Sequence, residues 1–338
     1  MKEIGSEFWE IPESEKENDG FLEAAKWFLS GRTALRYIIA DIKERYRFRT
    51  VGLPSWCCDS MIKPFLEAGI EVLFYTVYMR GSSLSANIAE VLHCDAVLVM
   101  DYFGYVRDLE RSDYKGIFIR DLTHSVFSDE YEDADYFFGS LRKWCGIWTG
   151  GFAWSRRGWR TEVRPRNPSF EYIDLRRKAM LSKAEYIQGI NDSREYLSWF
   201  SKAEEILDEA DGIAYAAGRD LDRIKRLDID RIKTTRRENA KRLLGEVSEL
   251  AIFPEILPKD CPLFVPILVP GGRRDELCAY LIQEKIYCPK HWPLTDLHYV
   301  PDKTRSLYED ELSLVCDQRY TAEDMDYIGK KVQAFLRR

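Results

Sequence analysis

GIFIRDLTHSVFSDEYEDADYFFGSLRKWCGIWTGGFAW, residues 116–154, carries two short apolar runs, Ile117–Ile119 and Tyr136–Phe138, with the length and composition of buried strands. Asp121-Leu122-Thr123-His124 lies just past the first run and Ser140-Leu141-Arg142-Lys143 just past the second. A turn of aromatic residues and glycines then leads to a third apolar run, Phe152–Trp154. In open α/β sheets ligands gather at the carboxyl ends of strands. An acid and a lysine placed there can face one ligand. The same stretch also reads as two unrelated residues at strand ends, with Lys143 a solvated loop charge.

Trp144, Ile147 and Trp148 follow the lysine. Packed beside them, Lys143 is expected to lose part of its preference for the charged form, because burial disfavours an ammonium. A neutral amine can form a Schiff base with an aldehyde. An aspartate paired with a pyridinium nitrogen is the matching feature of pyridoxal phosphate sites.

The flanking chain supplies a sheet. Ala96–Met100 is a buried-strand run, Arg49–Leu53 and Glu71–Val77 read as strands, and a helix between them stops at Gly69. A helix of about seven residues is expected from Asp108, and another short one over Phe21–Phe28. Ala34, Leu35, Ile38, Ile39 and Ile42 share one helical face, so a helix begins near Arg32 with Ser30-Gly31 at its entrance. Its unpaired N–H groups and positive dipole end suit a phosphate, although a capped amphipathic helix explains the pattern equally. Strand and helix alternate at short intervals, which predicts an α/β fold with a mostly parallel sheet covered by helices. No GxGxxG follows a strand, so dinucleotide binding lacks its fingerprint.

Taken in order, the Ser30–Leu35 segment, the acid-x-x-His segment at Asp121–His124 and the later Lys143 resemble fold-type I pyridoxal phosphate (PLP) enzymes, most closely the DegT-type sugar aminotransferases. Arg236–Leu244, RRENAKRLL, resembles the helix that leads into that family's smaller C-terminal α+β domain. The resemblance implies that Lys143 carries the cofactor and shuttles a proton, and that Asp121 holds the pyridine nitrogen protonated. It places His124 by the cofactor's 3-oxygen, Ser140 on the phosphate, and Gly31, Arg32 and Thr33 at the helix entrance around that phosphate. Cys58 falls where the family sets an aromatic that stacks on the ring; Trp56 reaches that position only by a local shift and otherwise reads as core.

The chain departs from the family elsewhere too. Ser140 and Lys143 are three residues apart, closer than the DegT pattern and nearer to that of the aspartate aminotransferase group. The asparagine–tyrosine–arginine segment that reaches a neighbouring subunit's phosphate is absent; Asn191 stands alone. Arg319 is a conceivable carboxylate clamp, or a surface arginine near a helix start. The resemblance implies amino transfer from an amino acid, usually glutamate, to a keto acceptor such as a nucleotide-linked sugar, in a homodimer. A lyase or dehydratase on the same scaffold, or a catalytically idle binding relative, remain alternatives.

The expected organisation is an arm over 1–20, a large PLP-binding domain with a helical connection over 21–235, and a small domain over 236–338. Helix is expected at Ser182–Phe200 and Ala203–Ala210, and a capping box at Thr321–Asp324. With 338 residues, 45% hydrophobic and 32% charged, the chain has the composition of a globular protein. A net charge of −7 with no basic tail argues against nucleic acid. Eight cysteines without CxxC, and four histidines without zinc-type spacing, argue against a structural metal. No apolar run is long enough to span a membrane and the acidic N-terminus lacks a signal pattern, so a cytoplasmic enzyme is expected.

Overall fold

The computed structural model describes residues 3–18, 20–81, 83–106, 114–129 and 134–338. The chain opens with β1 (Ile4–Gly5) and β2 (Lys26–Phe28). The apolar stripe from Ala34 to Ile42 then buries one face of α1 (Gly31–Arg45), and Ser30 caps the helix by accepting from the Thr33 amide. β3 (Thr50–Pro54), α2 (Asp59–Glu67) and β4 (Glu71–Tyr75) form a βαβ unit, followed by a hairpin of β5 (Val77–Arg80) and β6 (Ser83–Ala86). The wholly buried runs are β7 (Ala96–Met100), β8 (Ile117–Asp121) and β9 (Tyr136–Ser140), and β10 (Gly151–Ser155) completes the sheet.

Seven strands lie in the order β2-β10-β9-β8-β7-β3-β4. From β4 to β9 neighbours run parallel, whereas β10 and β2 are antiparallel additions. Asp121 pairs with Phe138, so Asp121 and Ser140 both end adjacent parallel strands at one carboxyl edge. One local expectation fails. Phe21–Phe28 is a turn and then a strand, because Trp27 and Phe28 pair with Phe152 and Gly151 of β10. A pairing partner distant in sequence overrides local propensity there. After β8 the chain takes a turn at 123–127. The helix expected from Asp108 lies outside the described residues.

Four helices follow: α3 (Phe170–Gln188), α4 (Tyr196–Glu209), α5 (Gly218–Ile224) and α6 (Ile229–Val247). The helix expected across Ser182–Phe200 is cut at Gly189, whose φ of 73° ends α3 in the left-handed region that glycine favours. The smaller C-terminal domain adds β11 (Phe264–Leu268), α7 (Arg274–Gln283), β12 (Ile286–Tyr287), α8 (Asp302–Asp310), β13 (Glu311–Val315) and α9 (Ala322–Leu336). β11 and β13 pair antiparallel, and α6, α7 and α9 bury Leu243, Leu281 and Ile328 with Val265 and Leu314. Thr321 and Asp324 form the capping box of α9. β1 pairs with β12, which fastens the N-terminal arm to this domain. Among the described residues no helix is long and apolar enough to cross a membrane.

Candidate active site

A cavity of about 210 Å³ lies at the carboxyl ends of β8 and β9 beside the start of α1. Gly31, Arg32, Cys58, Asp121, His124, Ser140 and Lys143 all line it. Thr33 does not; its hydroxyl lies 3.1 Å from Ser30 Oγ, behind the helix entrance. The helix start sits close against the sheet edge: a Cβ at Gly31 would stand 3.4 Å from both Gly139 O and Ser140 Cβ, in van der Waals contact. The first-turn amides of Gly31 and Arg32 have no intrahelical acceptor, as at any helix start. The Arg32 guanidinium points to α4, where it pairs with Asp208 at 2.7 Å, so only its backbone serves the entrance.

Asp121 is buried, and its Oδ1 accepts from the Thr123 amide at 2.7 Å. Burial pushes its carboxyl up to about 6, against the hydrogen bonds of Thr123, and no cationic side chain among the described residues pairs with it. Beneath it, Arg120 is held by Asp101 at 2.7 Å and is therefore not its counter-ion. Asp121 is a buried acid in want of a positive charge.

Lys143 closes a single 3₁₀ turn, Leu141–Lys143, directly after β9. It does not pack among the aromatic residues that follow it. Trp144 and Ile147 turn into the core, with Trp144 Nε1 donating to Thr123 O at 2.8 Å, while Lys143 stays exposed to the cavity. No hydrogen bond or ion pair to Lys143 occurs among the described residues. Asp220 of α5 fixes the loop behind it by accepting from the Thr149 amide at 2.8 Å and the Thr149 hydroxyl at 2.6 Å.

Trp56 makes no local shift toward the cavity. Trp56 is fully buried, stacked on Tyr102 at 4.8 Å and donating from Nε1 to His291 O. Cys58 stands at the cavity instead, its thiol 2.9 Å from Ser60 Oγ and pushed up by burial. His124 accepts at Nδ1 from the Phe103 amide (3.4 Å), which leaves Nε2 as the N–H; burial, then His291 and Lys143, hold the ring well below its ordinary value and neutral. Trp292, from the C-terminal domain, stacks on His124 at 5.7 Å and lines the cavity. Its loop is tied by Glu311, which accepts from the His291 amide at 2.7 Å; burial pushes the Glu311 carboxyl up to about 8 and the His291 imidazole down to about 3.

A second chamber of about 500 Å³ shares Ser140, Arg142, Lys143 and Glu204 with the first. Its walls come from the N-terminal arm, α3, α4 and the C-terminal domain. Arg142 pairs with Glu204, and Arg176 reaches Glu204 at 3.1 Å and Glu7 at 3.2 Å. Burial would raise the Glu7 carboxyl, but Arg176, Arg142, Lys143 and Lys183 outweigh it and hold the group below its usual range. Arg319 is no free clamp: it pairs with Asp317 through two bonds of 2.8 Å, donates to Glu7 O and Ser6 O, and lies over Phe8 at 4.0 Å. Sequence reading missed Arg142, Arg176 and Glu204. Only Arg142, adjoining the lysine, carried a local signal; the rest arrive from distant elements.

No protein-family profile matches the sequence, and no curated protein matches it. Solved structures do match in shape. A DegT DnrJ EryC1 StrS aminotransferase from Brucella abortus aligns with TM-score 0.62 and 16% identity, over 92% of this chain and 85% of its own. Helicobacter pylori PseC, an aminotransferase involved in the biosynthesis of pseudoaminic acid, aligns with TM-score 0.65 and 14% identity, over 97% and 99%. The fold is that of the DegT-type aminotransferases. NtdA from Bacillus subtilis, with bound cofactor PMP, shares this aminotransferase fold at TM-score 0.63 and 13% identity, over 93% of this chain and 73% of that one. Identities this low speak for the aminotransferase fold and leave the chemistry to the site itself.

Proposed function

We propose that this protein is a PLP-dependent aminotransferase that moves an amino group from an amino acid, glutamate foremost, to the keto group of a nucleotide-linked sugar. One observation carries the reading: a single cavity holds a buried carboxylate without a counter-charge and an amine without a partner. A pyridinium nitrogen is the cation that Asp121 lacks, so the residues present fit the cofactor. Asp121 would hold that nitrogen and Lys143 the aldehyde end. The Gly31 and Arg32 amides with the Ser140 hydroxyl would take the phosphate, and Thr33 would brace Ser30 at the cap behind them. His124 Nε2–H would donate to the 3-oxygen, and the neutral Cys58 thiol would lie against the ring.

Bound there, the cofactor supplies an electron sink and a carrier for nitrogen. The protein's own part is proton placement. Lys143 Nζ, free of other partners, takes the proton from the substrate carbon that bears the amino group. Asp121 keeps a proton at the pyridine nitrogen. Trp292 and Phe138, apolar members of the cavity wall, exclude water from the reacting carbon. The working form is proposed to be a homodimer in a reducing, cytoplasmic compartment, with which its eight free cysteines agree.

The purified protein with PLP should absorb in the visible, and borohydride should fix the cofactor on the peptide containing Lys143. Labelling of another lysine, or no uptake at saturating PLP, overturns the proposal. Glutamate alone should then release stoichiometric 2-oxoglutarate and leave pyridoxamine phosphate. A lyase stores no nitrogen, so failure of every amino donor to convert the loaded enzyme to pyridoxamine phosphate overturns the transaminase in favour of the lyase.

A further inference from the structure

The chamber beside Lys143 is walled by five cationic side chains, those of Arg142, Lys143, Arg176, Arg236 and Arg319, against the carboxylates of Glu7, Glu204 and Asp317. Two of the cations are committed to the framework. Arg236 is fully buried and donates to Gln318 Oε1 at 2.8 Å and Leu263 O at 2.9 Å, and Arg319 is matched by Asp317. Beside Lys143, Arg142 and Arg176 remain, and each of these two arginines leaves its Nε–H buried without an acceptor. The side chain of Arg176 is only 2% exposed, whereas those of its partners Glu7 and Glu204 are 43% and 40% exposed. The arginines are therefore fixed and their carboxylates half solvated.

The two carboxylates are not equivalent. Glu204 serves both arginines, but Glu7 serves Arg176 alone. The backbone of Glu7 is anchored independently: its carbonyl accepts from Lys183 Nζ at 2.7 Å and from Arg319 at 3.1 Å. Its side chain can thus swing away without unfastening the arm. Two buried cations left with one carboxylate would be costly, since breaking a buried pair strands a charge. An incoming carboxylate replaces Glu7 one for one and leaves two carboxylates against Arg142 and Arg176.

We propose that Arg142 and Arg176 are the seat for a carboxylate of the amino donor, and that Glu7 occupies this seat while the donor is absent. The inference rests on the aminotransferase reading above. A carboxylate already fits the seat, as Glu7 shows, and Arg142 adjoins the lysine that would meet the donor's amino group. Arginine suits such a task because its planar fork matches a carboxylate in two bonds.

The test is calorimetric titration of the full chain, with and without PLP, using glutarate as an unreactive dicarboxylate. Glu7→Gln keeps the backbone anchors and removes the competitor, so glutarate should bind about tenfold more tightly. Arg176→Gln should weaken it by about tenfold. Glutarate affinity unchanged or lowered by Glu7→Gln overturns the proposal, even if Arg176→Gln misfolds. A gain for inorganic pyrophosphate with none for glutarate also overturns it, because the seat would then be one for phosphate. PLP uptake and Lys143 labelling are read separately: their failure in the wild type rejects the aminotransferase, while their success beside an unchanged glutarate affinity rejects only the seat.

Discussion

Asp121 is the residue whose cost and use are easiest to separate. Its folded value, about 6, lies above the unfolded 3.8, so between these pH values the folded chain binds more protons than the unfolded one. The stability of the cofactor-free protein should therefore fall as pH rises from about 4 to about 6, with the full penalty present above that window. Asp121→Asn removes the penalty. Urea unfolding at pH 7.5 should show the cofactor-free variant more stable than wild type by about 1–3 kcal/mol, and the difference should vanish near pH 4. The same variant should lose most of its transamination rate. Equal stabilities at pH 7.5 would show that Asp121 has a counter-charge of its own.

Among elements, the joint between α1 and the sheet decides the phosphate end. Gly151 of β10 faces Ser140 in the ladder, and Ser30 crosses directly over it. A Cβ at Gly151 would lie 2.0 Å from Ser30 O, a backbone atom with no room to yield. Gly151→Ala should cost about 1–3 kcal/mol of stability, as overpacking does, and should push the entrance of α1 off Ser140. Affinity for pyridoxal phosphate should then fall further than affinity for pyridoxal, which lacks the phosphate. Equal losses for the two ligands would place the phosphate elsewhere.

For the molecule as a whole, the prediction concerns α3. Phe170 is 83% exposed, Leu181 55% and, just past the helix, Ile190 68%. Phe170 and Leu181 are close to three helical turns apart and share a face of α3. Sedimentation equilibrium should give a dimer for the wild type and a monomer for the Phe170→Asp, Leu181→Asp double variant, because charges in a dehydrated interface are unsatisfied. A dimer that survives both charges would place the interface on another surface.

Much of the sheet was legible because its strands are continuous buried runs: Ala96–Met100 and the runs before Asp121 and Ser140 can be read residue by residue. The α1 entrance was legible for a similar reason, since a cap and an apolar stripe are local signals. Asp121 and Lys143 could be nominated because they follow strand-like runs, and strand ends in such sheets converge on one edge; His124 and Ser140 were named through the family resemblance. What the sequence could not determine is everything that depends on elements meeting across long separations. β2 forms by pairing with β10, joined by a bridge from Phe28 to Tyr215, and Phe21–Phe28 carries no local mark of it. Trp292 reaches the cavity from a loop of the C-terminal domain, Glu204 from α4, and Glu7 from an arm held by Lys183 and Arg319. Local periodicity reports which face of an element is buried; which distant charges share that burial is set by packing, and only the tertiary structure decides it.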